Sequence, residues 1–161
     1  MDVVIQSLIM LMFFKIAVID WREHAIYDKD IAITALFITL YKVFYAEVFS
    51  SLYGCATGLI IGSIIFGAAY KLYGFEAFGQ GDVLLLAILG FFLGESFLHY
   101  FALSMMLDGS IAAIYLLAQK SKSKPFVDIE LPYAPVLLVW LPIYFYLDIP
   151  SLFDVYRVLF L

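Results

Sequence analysis

Runs of apolar residues, separated by short polar segments, divide this sequence into six candidate helices. A helix that crosses the hydrocarbon core of a bilayer needs about 20 mostly apolar residues. The fourth run is shorter than this, which predicts a tilted or protein-shielded helix. We therefore predict an all-α integral membrane protein with about six transmembrane helices. The runs extend approximately from Val3 to Ile19, Ile31 to Phe49, Ser51 to Tyr70, Asp82 to Leu93, Phe97 to Ala118 and Leu131 to Leu147.

The composition favours the same class of protein. Of the 161 residues, 65% are apolar and only 14% are charged, whereas a soluble domain has about a quarter charged residues and about half apolar ones. A mean hydropathy of +1.02 indicates more apolar surface than a soluble domain of this length could bury. The length fits one transmembrane domain, residues 1–161. The first run lacks a basic segment and a cleavage site, so we expect it to be retained.

Lysine and arginine lie mainly in the connections after the first, third and fifth runs. Cytoplasmic loops of membrane proteins are enriched in these residues. The bias therefore predicts that the N-terminus and the C-terminus are outside and that these three connections are cytoplasmic. The predicted cytoplasmic residues are Arg22, Lys29, Lys71, Lys120, Lys122 and Lys124, and those opposite are Lys42 and Arg157.

Two carboxylates stand at the ends of runs, since Asp20 closes the first and Asp82 opens the fourth. Carboxylates in a membrane are costly and often functional, and the predicted topology places both at the cytoplasmic edge of the hydrocarbon. Two close carboxylates tend to share one proton. The ionised one can then take a proton from water while the protonated one polarises a peptide carbonyl. The simpler alternative is that Asp82 is an N-cap and Asp20 marks the membrane boundary.

Glycines at positions 79 and 81 flank Gln80 immediately before Asp82. Glycine permits a positive φ and the close approach of another backbone, and a simple helix cap does not need two of them. A protease does need room for an extended substrate strand beside its acid. We therefore expect Gly79 and Gly81 to position a substrate.

Other glycines recur at intervals of four residues in the third and fourth runs. Small residues at this spacing let helix backbones approach closely in lipid, so we predict that these glycines pack helices together. They are Gly54, Gly58 and Gly62 in the third run and Gly90 and Gly94 in the fourth.

Three sequence elements resemble the type IV prepilin peptidases. The first is the GxGD motif Gly79-Gln80-Gly81-Asp82 with the apolar run that follows it. The second is Asp20 with Arg22 two positions on, followed by Ile26-Tyr27-Asp28 where the family has Ile-Pro-Asn. The third, Leu131-Pro132-Tyr133-Ala134-Pro135, is similar to the Ile-Pro-Phe-Gly-Pro element that opens the family's last helix. The three matches occur in the family's order.

The resemblance implies a membrane aspartic endopeptidase that cuts the short basic leader from prepilins or pseudopilins at the cytoplasmic face of the plasma membrane. It makes Asp20 and Asp82 the catalytic pair, with water as the nucleophile. It implies no metal, no organic cofactor and no nucleic-acid partner. Leu84 stands where many members have lysine. Cys55 is the single cysteine, so the cysteine-rich insert associated with N-methyltransferase activity is missing, and we expect cleavage without methylation.

Three further acids and two other functions remain to be weighed. Asp28 and Asp30 share the first polar connection, and we expect Asp28 to be solvated. Asp108 lies midway along the fifth run, where a structural role is favoured over one in tuning the site. A proton- or cation-coupled transporter subunit is one alternative, although no interrupted helix pair or inverted repeat is visible. A non-catalytic pilus-assembly protein is the other, although both acids and both glycines are present.

Overall fold

The computed structural model describes residues 2–73, 79–120 and 133–146, and every regular element in these ranges is helical. A 3₁₀ turn, Gly94–Ser96, connects the fourth helix to the fifth. The predicted all-α class is confirmed in these ranges. The α-helices are α1 (Asp2–Glu23), α2 (Asp28–Phe44), α3 (Val48–Tyr73), α4 (Gln80–Leu93), α5 (Phe97–Lys120), α6 (Tyr133–Leu138) and α7 (Trp140–Tyr146).

Three helical stretches are long and apolar enough to cross a membrane: Val4–Glu23, Val48–Leu72 and Gln80–Ser110. The third contains α4, the 3₁₀ turn and the first part of α5. The apolar stretch Tyr133–Tyr146 is shorter, as is α2 with 17 residues. The chain is thus a membrane protein. The number of six spans and the outside N-terminus stay predictions.

The first polar connection is shorter than the sequence predicts. Asp20 lies within the last turn of α1, which continues to Glu23, and α2 begins at Asp28 rather than after Asp30. The polar pattern reflects which side chains favour water, whereas helical backbone hydrogen bonding continues for another turn on each side. His24, with a φ of 49°, ends α1 in the left-handed region.

The sixth predicted helix is divided into α6 and α7 at Val139. Pro142 explains the break, because it has no N–H to donate to the Leu138 carbonyl and its ring crowds that carbonyl. Helix α5, which precedes this helix in the chain, extends through Lys120, a residue that the sequence assigns to a loop. Residues 121–132 and 147–161, including the ends of the sixth predicted helix, lie outside the described ranges.

The glycines of α3 and α4 bring these two helices into backbone contact. A methyl group at Gly54 would overlap the carbonyl oxygen of Gly90, and one at Gly58 would overlap that of Leu86. A Cβ at Gly62 would lie 3.1 Å from the Cα of Val83, next to Asp82. The predicted packing role of these glycines is confirmed, and the contact fixes α4 along its length.

Helix α4 also supplies much of the buried core, with a buried segment from Leu85 to Gly90. Phe92 of α4 packs against Phe13 of α1, with ring centroids 5.8 Å apart. Helix α1 in turn contacts α6. The end of α1, the start of α4 and the start of α6 are thereby brought to one region of the molecule.

Candidate active site

Asp20 continues the buried stripe of α1. Ile9, Phe13 and Ile16 are almost completely buried, and their spacing of three and four residues puts them on one helix face. Asp20 follows Ile16 by four residues, so its carboxylate faces the same way. Its side chain is only 5% exposed, although it lies in the last turn of the helix.

The buried carboxylate of Asp20 is held by the start of α6. Its Oδ2 accepts a hydrogen bond from the backbone N–H of Ala134 at 2.8 Å. The first N–H groups of a helix have no partner within the helix, so Asp20 satisfies one of them. The sequence resemblance singled out the segment around Ala134 but gave no partner for it. Pro135 is the sequence feature that indicates a helix start next to Ala134, because proline is common in the first turn of a helix.

Asp82 is held by the start of its own helix. It is the third residue of α4, and its Oδ2 accepts the N–H of Gly79 at 2.9 Å. In return, the N–H of Asp82 donates to the Gly79 carbonyl at 3.2 Å. Gly79 is therefore the N-cap, and the alternative prediction of Asp82 as N-cap is wrong by three positions. Asp82 instead provides the side-chain half of a capping box, and it is partly exposed.

The two predicted acids lie in one region of the structure. The charge of Asp20 acts on Asp82, so carboxylates from α1 and α4 lie within electrostatic range of each other. Asp82 also acts on the hydroxyl of Tyr133, the first residue of α6. A buried carboxylate beside a partly exposed one can share a proton. No group of three or more His, Cys, Asp or Glu residues that could hold a metal occurs in the described ranges.

The two glycines of the GxGD motif differ in their surroundings. A Cβ at Gly81 would lie 3.0 Å from the Cβ of Ile26 and 3.4 Å from its carbonyl oxygen, so the expected close approach occurs there. A Cβ at Gly79 would make an ordinary 3.4 Å contact with Asp82 Oδ2. Neither glycine uses the positive φ that glycine permits. Gly79 has the extended φ of −86° usual for an N-cap, and Gly81 is helical.

The connection between α1 and α2 is fixed by side-chain contacts at both ends. Asp30 is buried in α2 and pairs with Lys15 of α1 at 2.7 Å, so it is not a loop residue as the sequence suggested. Asp28 is exposed, as expected. The Tyr27 hydroxyl donates to Glu23, and this bond, followed by the charge of Glu23, raises the pKa of Tyr27. These contacts hold the loop that presents Ile26 to Gly81.

Asp108 of α5 has a structural partner. Its Oδ1 accepts a hydrogen bond from the indole N–H of Trp140 in α7 at 2.7 Å. The favoured structural role is thus supported by a defined contact.

These features define a helical membrane protein with two interacting carboxylates at converging helix ends. The chain matches the model of the type IV leader peptidase family over residues 7–117 and belongs to that family. The match includes both acids and both glycines of the motif, and it favours a peptidase over the transporter alternative. The element around Ala134 lies beyond it. Searches of curated proteins and of solved structures found no match.

Proposed function

We propose that this chain is an aspartic endopeptidase that removes the short basic leader of a prepilin-like or pseudopilin precursor at the cytoplasmic face of the plasma membrane. The observation that carries the proposal is that Asp20 and Asp82, each held at a helix end by a backbone N–H, lie within electrostatic range of each other. Family membership supports the reaction class. Six spans with an outside N-terminus are part of the proposal, because the lysine and arginine distribution then puts both acids on the cytoplasmic side.

The mechanism uses the carboxylates as a proton-sharing pair. The ionised carboxylate takes a proton from water as the water oxygen attacks the scissile carbonyl carbon, and the protonated one donates to the carbonyl oxygen. The resulting tetrahedral diol collapses when a proton passes to the leaving nitrogen and the C–N bond breaks. Hydrogen bonds from Ala134 to Asp20 and from Gly79 to Asp82 orient both groups before the substrate binds.

The two motif glycines have separate roles in this proposal. Gly79 and Gln80 are exposed at the start of α4, which leaves room for an extended substrate strand beside Asp82. Gly81 is covered by Ile26, so it positions the α1–α2 connection and contacts the substrate only through that loop.

A cleavage assay tests the proposed function. The purified protein in liposomes is mixed with precursors that carry a basic leader, a glycine and a hydrophobic stretch, and the products are identified by mass spectrometry. We expect one cut at the leader boundary and, with a methyl donor present, an unmethylated new N-terminus. No cut in several precursors by a folded sample would contradict the proposal.

Replacing Cys55 by alanine is expected to leave cleavage close to the wild-type rate. Cys55 is the single cysteine of the chain and lies half-buried in α3, a helix that carries neither of the two acids. The kcat of Cys55→Ala measures this directly. If a folded variant lost all activity, a thiol nucleophile would replace the acid pair as the favoured mechanism.

Replacing Gly81 by alanine is expected to lower kcat about tenfold, because small displacements at an active site have large kinetic effects. The added methyl group would push Ile26 and its loop away from α4 by a few tenths of an ångström. Gly67→Ala in α3 is the control, since nothing in the described residues outside its own helix backbone lies within 4 Å of the added Cβ. It should keep the wild-type kcat. Equal kcat values for both variants would contradict this difference.

A further inference from the structure

The start of α6 holds Asp20, yet α6 itself has only six residues and ends at a break. Helices this short are not stable on their own. Their position must therefore be set by contacts with the rest of the molecule. Two side chains of α5 provide such contacts with the segment that follows Ala134.

The first contact is made by Tyr100, which is fully buried. Its hydroxyl donates a hydrogen bond to the backbone carbonyl of Leu137 in α6. Its ring also meets the ring of Tyr144 in α7 edge to face, with centroids 5.2 Å apart. Tyr100 therefore holds α6 through the backbone and α7 through an aromatic contact.

The second contact is the hydrogen bond from Trp140 to Asp108. It lies just beyond the break between α6 and α7, so it fixes the segment on the side away from Asp20. Asp108 follows Tyr100 by eight residues, and Ser104 stands between them at four. This spacing puts all three on the face of α5 that points to α6 and α7.

The polar residues Tyr100, Ser104 and Asp108 on this face of α5 need an explanation, because a carboxyl group inside an apolar helix is costly. Ser104 does not take part in the hydrogen bonds to α6 and α7, since its hydroxyl donates to the Phe101 carbonyl of its own helix. The charges of Asp82 and Asp108 both act on the Tyr133 hydroxyl. The start of α6 therefore lies near both the candidate active site and Asp108.

We infer that Tyr100 and Asp108 are positioning residues: their hydrogen bonds to α6 and α7 hold the Ala134 N–H against the carboxylate of Asp20. The inference rests on the proposed function, in which Asp20 is catalytic. The partner of Asp108 is a neutral indole N–H, so Asp108 must provide an acceptor oxygen and does not need its charge.

Four variants test this inference in the cleavage assay. Asp108→Leu removes the acceptor at similar size, and Tyr100→Phe removes only a hydroxyl. Each is expected to lower kcat at least about tenfold, because a misplaced catalytic group is that costly, with the KM for the precursor unchanged. Asp108→Asn keeps an acceptor and should retain most of the activity. Ser104→Ala is the control on the same helix face and should behave like the wild type.

The hydrogen bond itself can be observed by fluorescence. The chain has two tryptophans, Trp21 and Trp140, so a Trp21→Phe background isolates the emission of Trp140. Loss of the hydrogen bond in Asp108→Leu should shift this emission to shorter wavelength, and Asp108→Asn should not. This measurement needs no substrate, so it reports on the contact even if the proposed function is wrong.

The results of these experiments distinguish the positioning role of Tyr100 and Asp108 from the proposed function of the protein. Wild-type kcat in both Asp108→Leu and Tyr100→Phe would overturn the positioning role, while cleavage by the wild type would leave the proposed function standing. Equal losses in Asp108→Asn and Asp108→Leu would show that charge matters and would also overturn it. If the wild type cuts no precursor, or if Asp20→Asn cuts normally, the proposed function fails instead.

Discussion

Replacing Asp20 or Asp82 by asparagine is expected to reduce kcat by about 10² to 10⁴-fold, the usual contribution of general acid–base catalysis. An asparagine amide can neither take a proton from water nor give one to the substrate carbonyl. Each variant therefore removes one half of the proton-sharing pair. Single-turnover cleavage of a leader-bearing precursor, followed by mass spectrometry, measures the loss.

The asparagine variants should remain folded, because each keeps the hydrogen bond that holds the native side chain. An amide oxygen at position 20 can still accept the Ala134 N–H, and one at position 82 can still accept the Gly79 N–H. Asp20→Ala differs, since it leaves a buried N–H unsatisfied at a cost of about 1 to 3 kcal/mol. Thermal unfolding should distinguish the alanine variant from the two asparagine variants.

Asp28→Asn is the matched control, because Asp28 is an exposed acid at the start of α2. It should cleave at nearly the wild-type rate. The double variant Asp20→Asn/Asp82→Asn should be no slower than the slower single variant, since groups that act as a unit are not additive. Normal cleavage by either single variant would refute the catalytic assignment.

The helices could be predicted from the sequence because apolar runs in a membrane protein have few other structures available. The packing of α3 on α4 could be predicted for a similar reason, since glycines four residues apart form one smooth face. Asp20 was found from its place at the end of an apolar run. The four-residue spacing from Ile16 also predicts that Asp20 faces inward, provided that α1 continues through residue 20.

Other features depend on contacts between distant segments, which the sequence does not specify. Nothing in the local pattern pairs Asp20 with Ala134 or Asp108 with Trp140. The polar residues before Asp30 predict a loop at this position. In the structure α2 begins at Asp28, so Asp30 is part of the helix. Its side chain lies on the helix face that points to Lys15 of α1.

Helix α4 connects these observations, because it carries Asp82 and touches α3 at the level of the backbone. The position of Asp82 relative to Asp20 therefore depends on how closely α4 can approach its neighbours. A change in the α3–α4 contact should affect both the stability of the protein and the geometry of the acid pair.

Replacing Gly54 by alanine is accordingly expected to destabilise the protein by about 1 to 3 kcal/mol or more, as overpacking does. The methyl group would overlap the Gly90 carbonyl oxygen and crowd that of Gly94. Backbone atoms cannot rotate away as a side chain can, so α3 and α4 must separate. Thermal unfolding in detergent measures the loss of stability, and cleavage below the unfolding temperature measures the effect on the acids.

Gly67→Ala is the matched control on the same helix, because nothing in the described residues outside its own helix backbone lies within 4 Å of its added Cβ. It should be neutral or stabilise the protein by up to about 1 kcal/mol, as glycine-to-alanine changes in helices do. A lower unfolding temperature for Gly54→Ala alone would locate the cost in the α3–α4 contact. Equal unfolding temperatures would mean that the helices can part without loss, and the close backbone contact would then not be what fixes Asp82.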